Sequence, residues 1–275
     1  MKALYLELKM GAAGDMLTGA LMDLLDPEER QTALNMLNSA GIPGVTYVPE
    51  RGSKCGIPGI HMHVMVNGEE EIPQPGPGDE AELHSHGHTH DHEHNHGHEH
   101  THSHTSPADV EKIISETNLP DEVKEAGLGV YRLIADAESY VHGTDLSELH
   151  FHEVGMMDAI ADVLAVCYLM HIISPERIAA SPVNVGGGTV KCAHGILPVP
   201  VPATLKLLEG IPMYSGSVKS ELCTPTGAAL VRYFADEYGG IPLMTTERTG
   251  CGLGTKDFDE ANIVRVMLGE SVSNM

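Results

Sequence analysis

From His84 to His104 every even-numbered residue is a histidine, eleven in all. The tract lies within residues 68–106, a run with nine acids, no Lys or Arg, and a Pro/Gly opening from Pro73 to Gly78. Such a run carries too little apolar surface to offset the entropy lost on ordering it. A folded core must therefore be assembled from what lies on either side. Three parts are expected: an N-terminal α/β segment over 1–67, a disordered His-rich metal-binding loop over 68–106, and a main α/β domain over 107–275.

The flanks have the periodicities this requires. Residues 3–8 alternate as a strand, Gly11 to Asp15 make a turn, and Met16 to Leu25 read as a helix. Asp26-Pro27-Glu28-Glu29 opens a second helix, and Val45 to Arg51 and Gly59 to Val66 read as strands. Beyond the tract, Ser106-Pro107 caps a helix to about Thr117, Pro120 opens one to about His142, and Met157 to Ile173 is strongly apolar. A strand near 178–185, a helix near 203–209, a helix from Thr224 to about Tyr238, and strands near 243–248 and 262–268 follow. The class is α/β, with mixed sheets packed with helices.

Charge narrows the partners. Thirty-nine acids against sixteen Lys plus Arg leave −23, which repels nucleic-acid phosphates and anionic lipid. No apolar run reaches the roughly 18 residues of a membrane span, and Met1 to Tyr5 enter a strand pattern at once without a secretory segment. Five scattered cysteines with no CxxC pair fit a reducing compartment. A cytoplasmic protein is expected, with its oligomeric state open.

Imidazole is the commonest transition-metal ligand type, so His84, His86, His88, His90, His92, His94, His96, His98, His100, His102 and His104 suit Ni²⁺, Cu²⁺, Zn²⁺ or Co²⁺ without choosing among them. A solvated spacer is the plainer alternative. His150-Phe151-His152-Glu153 is a sharper pattern: if extended, both rings point one way with Phe151 behind. Asp158 and Asp162 share a face of the next helix. These groups could converge on a metal or act as acid and base, unless the acids merely complement the helix dipole. His194 after a Gly-rich turn is a further candidate ligand, and His61 and His63 share one strand face. Phosphate could sit at Gly11 to Asp15, at Gly186 to Thr189, or at Thr224-Pro225-Thr226-Gly227. No Walker motif is present, and Gly250-Cys251-Gly252-Leu253-Gly254 imitates a dinucleotide loop only in part.

Several of these strings together resemble the LarC-type nickel insertion proteins: Gly11-Ala12-Ala13-Gly14-Asp15-Met16, the His-rich loop, His150 to Gly155, Asp158 to Asp162, Gly186 to Pro202, and Thr224 to Ala229. The likeness runs nearly end to end. It implies nickel insertion into pyridinium-3,5-bisthiocarboxylic acid mononucleotide, forming one nickel–carbon and two nickel–sulfur bonds of the nickel-pincer cofactor of lactate racemase. It implies a CTP-dependent, lyase-class enzyme that uses Mg²⁺ or Mn²⁺ with CTP. The CTP site is expected in a C-terminal half, fused or separate, of which this chain would be the N-terminal counterpart. Transfer to lactate racemase is a further implied partnership. On this resemblance the tract gathers Ni²⁺ and passes it to His150, His152, Asp162 and His194. Glu153 and Asp158 are the expected catalytic carboxylates, and Gly11, Gly14, Asp15, Thr224, Thr226 and Gly227 the expected seat of a nucleotide phosphate. The rival reading is a non-enzymatic nickel or zinc storage or delivery protein.

Overall fold

Strand β1 (Lys2–Glu7) is hydrogen-bonded in parallel to β5 (Arg177–Ala180) on one side and antiparallel to β12 (Ile263–Ser271) on the other. The segments before and after the His tract thus share one sheet. The structure, a computed structural model, describes residues 1–70, 105–192 and 194–271, so the histidines from His84 to His104 lie outside the described residues. With β2 (Val45–Lys54), β3 (Ile57–Val66), β4 (Glu69–Glu70), β10 (Glu237–Tyr238) and β11 (Met244–Leu253), the sheet runs β10-β5-β1-β12-β11-β3-β2, with β4 on β3. Two small pairs stand apart, β6 (Val183–Asn184) with β9 (Met213–Tyr214) and β7 (Thr189–Cys192) with β8 (Gly195–Pro198). The mixed α/β class expected from the pattern is the one found.

Helix α1 (Gly14–Leu24) lies on β11, β3 and β12 at backbone contact. A Cβ on Gly252 would stand 1.8 Å from the carbonyl oxygen of Met16, and one on Gly250 2.1 Å from that of Ala20. The Gly250 to Gly254 run that imitates a nucleotide loop is mostly strand, and its first two glycines are where the helix sits down.

Helix α5 (Met157–Ile173) is apolar on every side because it is enclosed on every side, by α1, by β3 and by α4 (Asp121–His142). The buried Tyr47 of β2 ties it in, its hydroxyl donating to the Ala161 carbonyl at 2.7 Å. Ahead of α4, α3 (Pro107–Glu116) starts on a capping box between Ser106 and Asp109; α2 (Pro27–Asn38) starts on one between Asp26 and Glu29. Helices α6 (Pro202–Leu207) and α7 (Pro225–Phe234) pack on α4.

Two elements differ from the sequence pattern. The strand near 178–185 divides into β5 and β6 at Ser181-Pro182, where proline has no N–H for a ladder. Helix α7 stops at Phe234, because Asp236 turns back to take the Ile178 amide on its carboxylate at 2.8 Å and residues 237–238 join the sheet edge.

Candidate metal centre

Helix α4 ends at His142, where Gly143 takes a left-handed conformation (φ 62°) that stops the helix. One turn earlier Glu138 is half-buried, and its Oε2 lies 3.3 Å from Nε2 of His142. A second imidazole comes from His152. Phe151, just before it, is buried and donates its amide to the Thr105 carbonyl at 2.8 Å. Just after it the chain makes a single 3-10 turn, Glu153–Gly155, in which Gly155 leaves room for Phe151: a Cβ there would be 2.6 Å from the Phe151 Cβ. The third is His194, in the turn joining β7 to β8. Ring centroids are 4.6 Å apart for His152 and His194, 4.8 Å for His142 and His194, and 6.2 Å for His142 and His152.

One ligand atom from each ring lies within 4.8 Å of the others, the only such group of three or more His, Cys, Asp or Glu found among the described residues. Three imidazoles, one held by a carboxylate, are a donor set suited to a borderline divalent ion. They stand at a cleft of about 200 Å³, open to solvent, whose wall also includes Glu138, Glu153, Cys192, Glu221 and Pro225. Burial pushes the Glu138 carboxyl up, with His142 and His194 pulling the other way. Burial drives Glu221 up to about 7, against the pull of Lys256.

The family model described as nickel insertion protein matches residues 4–275. The chain belongs to the nickel insertion protein family. Relatives named as pyridinium-3,5-bisthiocarboxylic acid mononucleotide nickel insertion proteins are 39% identical over 273 residues in Desulfitobacterium hafniense and 40% identical over 277 in Clostridium kluyveri, each alignment covering 98% of this chain. One from Clostridium acetobutylicum is 40% identical over 274 residues, 99% of this chain. The chain spans 59%, 62% and 65% of the lengths of these three. No solved structure matches it.

Within this nickel insertion family member the site residues expected from sequence fall into separate groups. His152, Glu153 and His194 are at the cleft; His150, Asp158 and Asp162 are not among its lining residues. His150 is exposed and close enough to Asp109 to help depress that carboxyl, behind the larger effect of Ser106.

Asp162, with Asp158 one turn before it on α5, meets Asp15 at the start of α1. The Asp162 side chain fills the space a Cβ on Gly14 would need, 2.5 Å away, and its carboxylate accepts the Asp15 amide. Burial raises Asp162 far above the usual carboxylate range, and Asp15 and Asp158 add to the shift; its Oδ1 is buried without a hydrogen-bond partner. Burial likewise pushes Asp15 up to about 6. His61, lowered chiefly by burial, lies 4.0 Å from Asp15, and its ring centroid is 4.2 Å from that of His63. His63 is bracketed by Glu70 at 2.5 Å and Glu50 at 2.9 Å, which together outweigh its burial and raise it.

Two of the three phosphate-loop candidates, Gly11 to Asp15 and Thr224 to Gly227, lie against each other. Ala12 donates to Leu222 O and accepts from the Thr224 amide, both at 3.0 Å, and a Cβ on Gly227 would be 2.0 Å from Ala12 O. Thr224 caps α7 by accepting the Gly227 amide at 3.1 Å and is 3.0 Å from the Thr226 hydroxyl. Gly11 turns at φ +87° against Leu222. The Ala12 and Thr224 amides are thus paired within the protein, and at the start of α1 the Asp15 amide is met by the Asp162 carboxylate.

His142, Glu138 and Glu221 escaped the sequence reading. A Glu four residues before a His that is followed by Gly was the available signal for the first two. Nothing local marks Glu221.

Proposed function

We propose that the chain holds divalent nickel on His142, His152 and His194 and delivers it into pyridinium-3,5-bisthiocarboxylic acid mononucleotide, the compound in its relatives' names, to form the nickel-pincer cofactor of lactate racemase. The observation that carries this is the triad, three imidazoles whose ligand atoms lie within 4.8 Å of one another in the wall of an open cleft. Thiocarboxylate sulfur is a softer donor than imidazole, so the substrate can take nickel from the triad by ligand exchange. The ring carbon that becomes nickel-bound loses its proton in the same event.

The His tract is assigned the gathering role. Thr105, the residue after His104, pairs with Phe151, the residue before His152, so the tract returns to the fold beside the triad. His150 and Glu153 flank His152 and are assigned to the ion's passage there. The substrate phosphate is assigned to Thr224, Thr226 and Gly227 at the start of α7, because Pro225 lines the cleft. The α1 start at Gly11, Gly14 and Asp15 is less suited, with protein carboxylates already on its amides. CTP with Mg²⁺ or Mn²⁺, and with it the lyase-class turnover and passage to lactate racemase, is assigned to this chain acting with a C-terminal CTP-binding half; no step here runs through CTP.

Equilibrium dialysis against Ni²⁺ tests the reading. A chain lacking residues 84–104 is expected to keep one tight ion and to lose it on His152→Ala. Loss of all tight binding with the tract alone would leave a storage or delivery protein whose working part is the tract. Racemase activation after mixing with nickel, CTP, the mononucleotide and the C-terminal half then reports insertion.

A further inference from the structure

We infer that Glu221 is the group that takes the ring proton when the nickel–carbon bond forms, an inference that rests on the nickel-insertion reading above. Three observations converge on it.

The first is place. Glu221 lines the same cleft as the three imidazoles and precedes by three residues the cap of α7, where the substrate phosphate is assigned. A mononucleotide held between that helix start and the triad would have Glu221 in the wall beside it.

The second is fixation. Glu221 forms an isolated antiparallel bridge with Gly186, and Gly187 donates its amide to Ser220 O at 3.2 Å. A Cβ on Gly186, whose φ is +80°, would stand 1.9 Å from Ser220 O, so only glycine allows this approach. The Gly186-Gly187-Gly188 turn therefore does not cradle a ligand itself; it seats the strand that carries Glu221.

The third is availability. Of the three cleft carboxylates, Glu138 is committed to His142, and Glu153 is exposed to water. Glu221 is largely buried, and among the described residues no hydrogen bond or ion pair engages its carboxylate. Lys256, which donates to the neighbouring Ser220 hydroxyl at 3.0 Å, is the facing cation, and Glu153 the facing acid. Together with burial they bring the carboxyl to about 7, a base matched to neutral pH.

The step balances without an oxidant. The ring C–H bond breaks, the nickel–carbon bond forms from its electron pair, the proton passes to Glu221 and then to water, and nickel stays divalent.

The test uses the full chain with Ni²⁺, CTP, Mg²⁺, the C-terminal half and the mononucleotide. Glu221→Gln is expected to bind nickel with wild-type stoichiometry yet to form cofactor about 10²–10⁴-fold more slowly. Exchange of the ring hydrogen with D₂O, followed by mass spectrometry, should slow by the same factor. Glu221→Asp, which keeps the carboxylate, should recover part of both rates, and it carries the test if the Gln variant does not fold. A near-wild-type rate in Glu221→Gln overturns the role of Glu221 and leaves the nickel reading standing. Lost nickel binding in a folded Gln variant also overturns it, because the carboxylate would then be a ligand. Wild-type chain that forms no cofactor overturns the reading and this inference with it.

Discussion

Oε2 of Glu138 lies 3.3 Å from Nε2 of His142, one turn apart at the end of α4. A carboxylate in that position fixes the ring's orientation and tautomer and raises the basicity of the nitrogen that faces a metal. Glu138→Gln should weaken nickel binding about 10–100-fold in the chain lacking residues 84–104. Titration calorimetry of that pair measures it, and an unchanged affinity would remove His142 from the ligand set.

Gly155→Ala tests how His152 is held. The new methyl would press on Phe151, 2.6 Å from its Cβ, and push the following histidine out of line. Overpacking of this kind costs about 1–3 kcal/mol. The expected result is a lower denaturant midpoint together with weaker nickel binding, whereas a change in stability alone would separate Phe151 from the site.

Gly252→Ala addresses the sheet instead. The added carbon would be 1.8 Å from a helical carbonyl, so α1 must lift from β11. A loss of about 2–4 kcal/mol, read from urea unfolding, is expected; a wild-type midpoint would mean that helix and strand are not in backbone contact.

The buried acids at the start of α1 and in the cleft predict a pH dependence. Asp15, Asp162 and Glu221 all hold their protons more tightly in the folded chain, chiefly through burial. The folded state then binds more protons than the unfolded one, so their contribution to stability is fully present at acid pH and is lost as pH rises through the raised folded values, about 6 for Asp15 and about 7 for Glu221. Asp162→Asn keeps an acceptor for the Asp15 amide and removes the titration. It should raise Tm at pH 7.5, by about 1–3 kcal/mol of stability, and change it little at pH 5. A variant less stable at both would show that the Asp162 carboxylate contributes favourably there.

Local chemistry carried much of the fold into the sequence. The Ser106 and Asp26 caps, the Pro120 start and the unbroken apolar run of α5 are signals that neighbours in the chain decide, and the helices begin where those signals stand. The strands β9 and β10 are two residues long and pair only with partners remote in sequence, and β4, β7 and β8 are two- to four-residue pieces of short hairpins, so no period announces any of them. The site divides the same way. His152 and His194 stood out by unusual spacing or context, but His142 ends an amphipathic helix, where a histidine is an ordinary dipole partner. Asp158 and Asp162 looked like companions of His152 along the chain; α1 claims Asp162, because Gly14 opens the space into which it fits.

The pairing of Thr105 with Phe151 has a kinetic consequence. On the proposed gathering role, an ion bound at His104, one residue before the Thr105 bridge to Phe151, would reach the triad by intramolecular transfer, at a rate set by chain geometry rather than by encounter. Once the tract is loaded, that transfer would no longer depend on the concentration of free nickel in the surrounding solution.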